Sequence, residues 1–271
     1  MEGAGEERTS ALTAWTRVGG EPKVIAPGLV LIKQALDPEQ QLHLANYALH
    51  AGSDPEHGFW ATLPETGEKV LNSDTGRGRI YDVIESFPEP QNVRTLCEAL
   101  VSTARSLDKR MPEMNPTHLL LLYYATSQGM YWHRDSDKND GDNDHPIVSI
   151  SIGNSCDFGY KLVARQEEFL RLDSGDVLIW GGPNRMLLHS VGEVHAGSCP
   201  EFLRERLGDV RLNFTYRDAP NVLGKEHLFK YDVDSTYTQL LPHLIATTPV
   251  NKEDVQNLSA CSSSSSSVSS T

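Results

Sequence analysis

The sequence has no apolar run approaching the roughly 18 residues that cross a membrane. Its start, Met1-Glu2-Gly3-Ala4-Gly5-Glu6-Glu7-Arg8, has no apolar h-region and carries acids where a transit peptide would carry arginines, so neither kind of leader is expected there. The four cysteines (Cys97, Cys156, Cys199, Cys261) form no CxxC pair, which argues against a disulfide framework or a structural zinc site and fits a reducing compartment. Positive charge is scarce: 24 Lys and Arg face 37 Asp and Glu, a net charge of −13. A polyanion would find no global attraction and would have to be gripped by a local basic patch. An intracellular location without a membrane follows, in nucleus or cytoplasm, with the organelle left open.

What is present suffices for one large folded domain: 271 residues, 38% of them hydrophobic. Residues 1 to about 22 are polar and Gly/Glu-rich, and flexibility is expected there. Pro27–Ile32 reads as a short buried strand. Asp37, Pro38 and Gln40 supply an N-cap, a proline at N1 and a capping-box partner at N3, predicting a helix to about Ala51. Ser53–Tyr81 is long and rich in Gly, Pro and Thr, and stretches of this kind are usually functional or disordered. Val93, Leu96, Cys97, Leu100, Val101 and Ala104 share one face of a second helix over about 91–107.

After Pro116 the texture changes to short apolar runs split by Asp, Gly, Ser and Pro: His118–Tyr124, Ile147–Ile152, Phe158–Val163, Glu168–Leu172, Val177–Trp180, Met186–Val191 and Val210–Tyr216. The expected fold class is α+β, a jelly-roll core buttressed by N-terminal helices. Leu258–Thr271 is serine-rich, low in complexity and expected to be disordered.

Within this frame, Met130–Asp137 places His133 and Asp135 two residues apart, on one side of an extended segment. An imidazole and a carboxylate suit a redox-capable metal if a third ligand arrives from elsewhere. His189, which closes a second strand after Trp180-Gly181-Gly182, has the best context of the ten histidines. The three make a 2-His-1-carboxylate set, the arrangement of non-haem Fe(II) oxygenases. On Val210–Arg217, strict alternation puts Arg211, Asn213, Thr215 and Arg217 on one face and Leu212, Phe214 and Tyr216 on the other. Two arginines and an amide facing one way suit a carboxylate.

The ordered set His133-Arg134-Asp135, Gly175-Asp176-Val177, Trp180-Gly181-Gly182, His189 and Arg211-Leu212-Asn213-Phe214-Thr215-Tyr216-Arg217 resembles the AlkB family of Fe(II)- and 2-oxoglutarate-dependent dioxygenases. The resemblance runs from about Pro27 to Arg217. It implies a double-stranded β-helix with His133, Asp135 and His189 as iron ligands. It implies 2-oxoglutarate held by Arg211, with Arg217, Asn213 and Tyr124 in support, and O2 as the other co-substrate. Where bacterial members have an asparagine, this chain has Leu122, one polar contact fewer. Asp137 matches an acid near the target base, and the stretch around Trp60, Arg79 and Tyr81 matches the nucleotide-recognition lid only loosely. The implied domain spans 23–232, with a lid at about 53–85, a catalytic core at about 117–220 and a C-terminal extension over 233–271. The implied activity is oxidative removal of N-methyl groups from single-stranded or flipped-out bases of DNA or RNA by a monomer, with formaldehyde, succinate and CO2 released.

Other readings stand beside this one. His133 and Asp135 alone would fit a surface pair in an acidic loop. Asp135–Asp140 imitates the start of a calcium loop, but Asp140 stands where glycine is needed and Pro146 where the bidentate glutamate belongs. Trp60 and Tyr81 could be core aromatics, and Arg134, Lys138, Lys161 and Arg165 solvated cations. The same chemistry on a protein side chain or small molecule, or a jelly-roll binding module without catalysis, are the alternative functions.

Overall fold

The computed structural model describes residues 15, 17–72, 77–125, 127, 129–135, 143–163 and 166–219. Strands β1 (Glu21–Ala26) and β2 (Leu29–Lys33) are followed by helix α1 (Pro38–Gly52), a small hairpin of β3 (Trp60–Thr62) and β4 (Lys69–Leu71), and β5 (Arg77–Val83). Helix α2 (Pro90–Leu107) leads to β6 (His118–Tyr124), β7 (Met130–His133), β8 (Ile147–Gly153), β9 (Cys156–Lys161), β10 (Glu168–Leu172), β11 (Val177–Trp180) and β12 (Leu188–Val194). A short α3 (Glu201–Leu207) precedes β13 (Arg211–Arg217).

The strands form a seven-stranded sheet in the order β1-β2-β11-β8-β13-β6-β5 and a four-stranded sheet in the order β10-β9-β12-β7. This is the layout of a jelly roll. One apolar core lies between the large sheet and the helices. It takes Leu212, Phe214 and Tyr216 from β13, Leu119, Leu121 and Tyr123 from β6, and the six α2 residues that share its apolar face. A second, smaller core between the sheets holds Leu120, Leu122 and Tyr124 together with Phe158, Leu178 and Trp180. The pleat therefore sends every second residue of β6 and β13 into the inter-sheet space.

The local signals act as expected in α1: Asp37 accepts from Gln40 N at 3.0 Å while the Gln40 side chain accepts from Asp37 N at 3.0 Å. The buried Asp176 of the Gly-Asp-Val motif is a structural staple. It takes the backbone N–H groups of Gln34 (2.9 Å) and Asp173 (2.7 Å) and pairs with Lys33. Gly175 before it has φ +88°, and a Cβ there would collide with the Gln41 amide.

Four expectations need correction. Pro27 and Gly28 form the β1–β2 turn, not a strand start, because Gly28 has φ +73° and a Cβ would strike the Gly181 carbonyl. Flexibility to residue 22 is too far, since β1 begins at Glu21 and Trp15 is buried against His43 and Tyr47. The stretch 53–81 is not all loop: β3, β4 and β5 lie in it, and β5 forms an edge of the large sheet. Three helices rather than two are present among the described residues, since the short α3 joins the same core through Leu203 and Leu207. The serine-rich end and Asp137 lie outside the described residues. No helix among the described residues is long and apolar enough to cross a membrane.

The carboxylate of Asp108 ties the β1–β2 turn to the end of α2. It accepts from Gly28 N (2.7 Å), Arg110 N (3.0 Å) and Arg110 Nε (2.8 Å). The bond to the Arg110 side chain, with the two backbone N–H donors, outweighs burial and holds its pKa down at about 2, against an ordinary 3.8. A depressed carboxylate stabilises the fold above its unfolded pKa and loses that contribution as pH falls through the folded one. Asp108→Asn should cost about 1.5–3 kcal/mol at neutral pH in urea unfolding. The gap to the parent should close between pH 3.8 and about 2, and a gap independent of pH would contradict the ionic role.

Candidate metal centre

β7 ends on His133, and its antiparallel partner in β12 at that level is His189. Asp135 follows just past the end of β7, where the chain is still extended enough to bring its carboxylate back to the two rings. His133 Nε2 lies 3.7 Å from Asp135 Oδ1, and His189 Nε2 lies 3.8 Å from Oδ2. The three donor atoms fall within 4.8 Å of one another, so one cation placed among them could meet all three.

The backbone sets the orientation of both rings. His133 Nδ1 sits 2.7 Å from the Tyr131 carbonyl and His189 Nδ1 3.0 Å from the Leu187 carbonyl. A carbonyl can only accept, so each Nδ1 carries the proton and each Nε2 presents a lone pair to the centre. Burial lowers the pKa of His189 against the pull of Asp135. Burial alone would raise that of Asp135, but the Arg217 guanidinium, the two imidazoles and Arg185 outweigh it and hold the carboxyl below its usual range. A neutral imidazole and a carboxylate are the forms that bind metal.

Arg217 donates from Nη2 to Asp135 Oδ1 at 2.6 Å, and Arg185 donates to the Asp135 backbone carbonyl. Phe158 stacks on His189 at 5.4 Å between ring centroids, and Trp180 packs at 5.0 Å. Polar contacts and aromatic walls together hold the ligands in a mostly dry space, although His133 keeps 31% of its side chain exposed on the open side.

Along β13, Arg211 is 1% exposed. It faces Tyr124 across β6, with its guanidinium carbon 4.9 Å from the ring centroid, and donates from Nη2 to Ser151 Oγ at 3.2 Å. Its Nε and Nη1 find no acceptor among the described residues. Two unsatisfied nitrogens of a buried cation, on the inter-sheet side of the large sheet across from the triad, fit an incoming carboxylate.

The family model for the 2OG-Fe(II) oxygenase superfamily matches residues 28–217. The chain belongs to that superfamily. The curated relatives it matches include "DNA N(6)-methyladenine demethylase ALKBH1D" of Arabidopsis thaliana, 30% identical over 74% of this chain and 51% of that protein. They also include "Alpha-ketoglutarate-dependent dioxygenase AlkB" of Escherichia coli, 31% identical over 48% of this chain and 56% of that protein. The chain spans about half the length of these relatives. The structure of OsALKBH1 shares the fold with a TM-score of 0.61 at 22% identity, over 73% of this chain and all of that one. This superfamily member is of the AlkB type, and Fe(II), with 2-oxoglutarate and O2 as co-substrates, is the set its family employs. The donor set of the triad and the orphaned guanidinium fit that set.

The other residues singled out in the sequence fall into distinct places in this oxygenase. Tyr124 lies beside Arg211, its ring centroid 4.9 Å from the guanidinium carbon. Asn213 is turned inward: its amide donates to Ser149 Oγ (2.8 Å) and the Ile150 carbonyl (2.9 Å), and its Oδ1 accepts from Thr215 (2.7 Å). Arg217 binds the carboxylate of Asp135, not only the space beyond it. Leu122 fills the inter-sheet core between Asn213 and Arg79. Tyr81 and Arg79 lie on the inter-sheet side of the large sheet, with Arg217 5.5 Å and Arg79 5.4 Å from the Tyr81 ring centroid. Trp60 is not brought to them. It packs on Phe59 and Tyr123, on the helix side of the large sheet, as a core aromatic.

Reasoning from sequence missed Arg185, Arg77, Ser149 and Ser151. Arg185 and Arg77 stand one to three residues from recognised motifs, but nothing in their spacing distinguishes them from solvated cations. Since Arg217 holds the carboxylate, Arg217→Met should weaken Mn(II) affinity about 10- to 100-fold, while loss of His189 in His189→Ala should weaken it further. Calorimetric titration checks this, and an unchanged affinity in Arg217→Met would mean the ion pair does not prepare the site.

Proposed function

We propose that this chain removes N-methyl groups from nucleic-acid bases, using Fe(II), 2-oxoglutarate and O2. The reading is carried by one juxtaposition: the metal triad and the unsatisfied Arg211 guanidinium share the inter-sheet space, and Tyr81 and Arg79 sit at its rim. Relatives named as DNA N6-methyladenine and tRNA demethylases support a nucleic-acid substrate. When bound, the metal with its co-substrates supplies the oxidation of the methyl carbon, whose hydroxylated product releases formaldehyde.

The chain's own residues do the positioning. His133, Asp135 and His189 hold the metal through three positions and leave the others open. Arg211 takes the distal carboxylate of 2-oxoglutarate and Tyr124 orients it. Phe158 and Trp180 exclude water behind His189. Tyr81, stacked on His118 and in contact with the Arg79 and Arg217 guanidinia, is the aromatic group at the rim beside which a single-stranded or flipped-out base would sit, offsetting part of an unstacking cost of a few kcal/mol. Asp137 and the extension over 233–271 complete the assignment from sequence, and we place the domain at 23–232, extended back to Glu21 by β1, in a monomer of the nucleus or cytoplasm.

A second reading keeps the chemistry and replaces the substrate with a protein side chain or small molecule, which the net charge of −13 favours. Incubation with Fe(II), 2-oxoglutarate and oligonucleotides carrying N6-methyladenine in DNA or methylated bases in RNA separates the two. Formaldehyde matched by succinate and by loss of the methyl mark is expected. No succinate and no demethylation of either polymer would sink the first reading and move the assignment to the second. Arg211→Met should raise the 2-oxoglutarate KM about 10- to 100-fold with less effect on kcat, and an unchanged KM would remove Arg211 from the co-substrate site.

A further inference from the structure

One cation beside the centre has no place in the function so far. Arg77 opens β5, and its partner on β6 is Tyr124, the same residue that faces Arg211 from β13. Tyr124 is thus flanked by two guanidinia from the two neighbouring strands, Arg211 at 4.9 Å and Arg77 at 5.7 Å from its ring centroid. The ring is 2% exposed, with Arg211 fully buried and Arg77 partly buried against it, and withdrawal from water strengthens a cation over an aromatic face.

Arg77 has a second attachment. Its Nη1 donates to the carbonyl of Gly129, the residue just before β7. Gly129 is pressed so close to β12 that a Cβ would collide with the carbonyls of Val191 and Gly192. One side chain therefore joins the edge strand that follows the lid hairpin, the tyrosine beside Arg211, and the backbone leading into His133 and Asp135. The planar fork of arginine allows this: one edge bonds the carbonyl while the plane meets the ring. Lysine, a point charge on a flexible stem, could satisfy only one of the two at a time.

We propose that Arg77 is a positioning residue for 2-oxoglutarate: it fixes the Tyr124 ring against Arg211, so that the hydroxyl and the guanidinium meet the co-substrate together. This rests on the oxygenase reading above. With Arg77 absent, the ring loses one wall, and the energy of ordering it is drawn from co-substrate binding.

The test is calorimetric titration of 2-oxoglutarate into the anaerobic Fe(II)-loaded full chain, with Fe(II) affinity measured separately. The parent must bind 2-oxoglutarate, and if it does not, the oxygenase reading itself fails. Arg77→Ala is expected to weaken 2-oxoglutarate binding about tenfold while leaving Fe(II) affinity unchanged. In a Tyr124→Leu background the same substitution should have little further effect, because the group it acts through is gone. Arg77→Lys should recover only part of the loss, and it is read by the same criteria should Arg77→Ala not fold. Unchanged 2-oxoglutarate affinity would overturn the proposal, including the case in which only oligonucleotide binding falls. So would an equal loss in the Tyr124→Leu background, or a loss of Fe(II) affinity in parallel, since each marks a merely structural role.

Discussion

A guanidinium withdrawn almost wholly from water is the constraint around which this fold is arranged. Burying an ion costs several kcal/mol unless partners are supplied. Among the described residues, Arg211 is met by the Ser151 hydroxyl and the ring of Tyr124. The remainder of its hydrogen-bonding capacity is directed into the space between the sheets. Large apolar surfaces elsewhere offset that cost: two cores, one on each side of the seven-stranded sheet, hold β13 and its neighbours in a register that leaves the arginine no route to solvent. The rigidity that keeps the charge buried also keeps its unbonded nitrogens in place.

The same economy governs the triad. Asp135 is a buried carboxylate among two imidazoles and two arginines. Without a cation between the three donors, Arg217 takes much of the compensating role. Charges of opposite sign thus alternate through the inter-sheet space: Arg211, then the triad carboxylate, then Arg217, with Arg77 behind Tyr124.

Much of this was legible in the chain itself. The period-2 pattern of Val210–Arg217 placed Arg211 and Leu212 on opposite faces, and both sit where the pattern put them. His133, Asp135 and His189 could be paired because two strands and a turn imposed few alternatives. Asp37, Pro38 and Gln40 marked a helix start through bonds only three residues apart. What could not be read depends on long-range pairing. Trp60 looks the same in sequence whether it faces the helices or the site, and only the docking of the β3–β4 hairpin on Tyr123 decides it. β5 was hidden in a Gly- and Thr-rich stretch because an edge strand needs only one neighbour, and its pairing with β6 does the work that an apolar pattern would otherwise signal. Arg77 and Arg185 gained their meaning from partners 47 or more positions distant in sequence.

The pairing of His133 with His189 across β7 and β12 has a further consequence for how the protein comes to be functional at all. Side chains on a strand alternate, so a slip of one residue would turn Ser190 inward and carry His189 to the outer surface. Such a slip would leave His133 and Asp135 together beside β7 but take the third ligand away. The metal site is therefore a readout of strand register: a molecule that can bind the ion at full strength has, by that fact, closed its smaller sheet correctly.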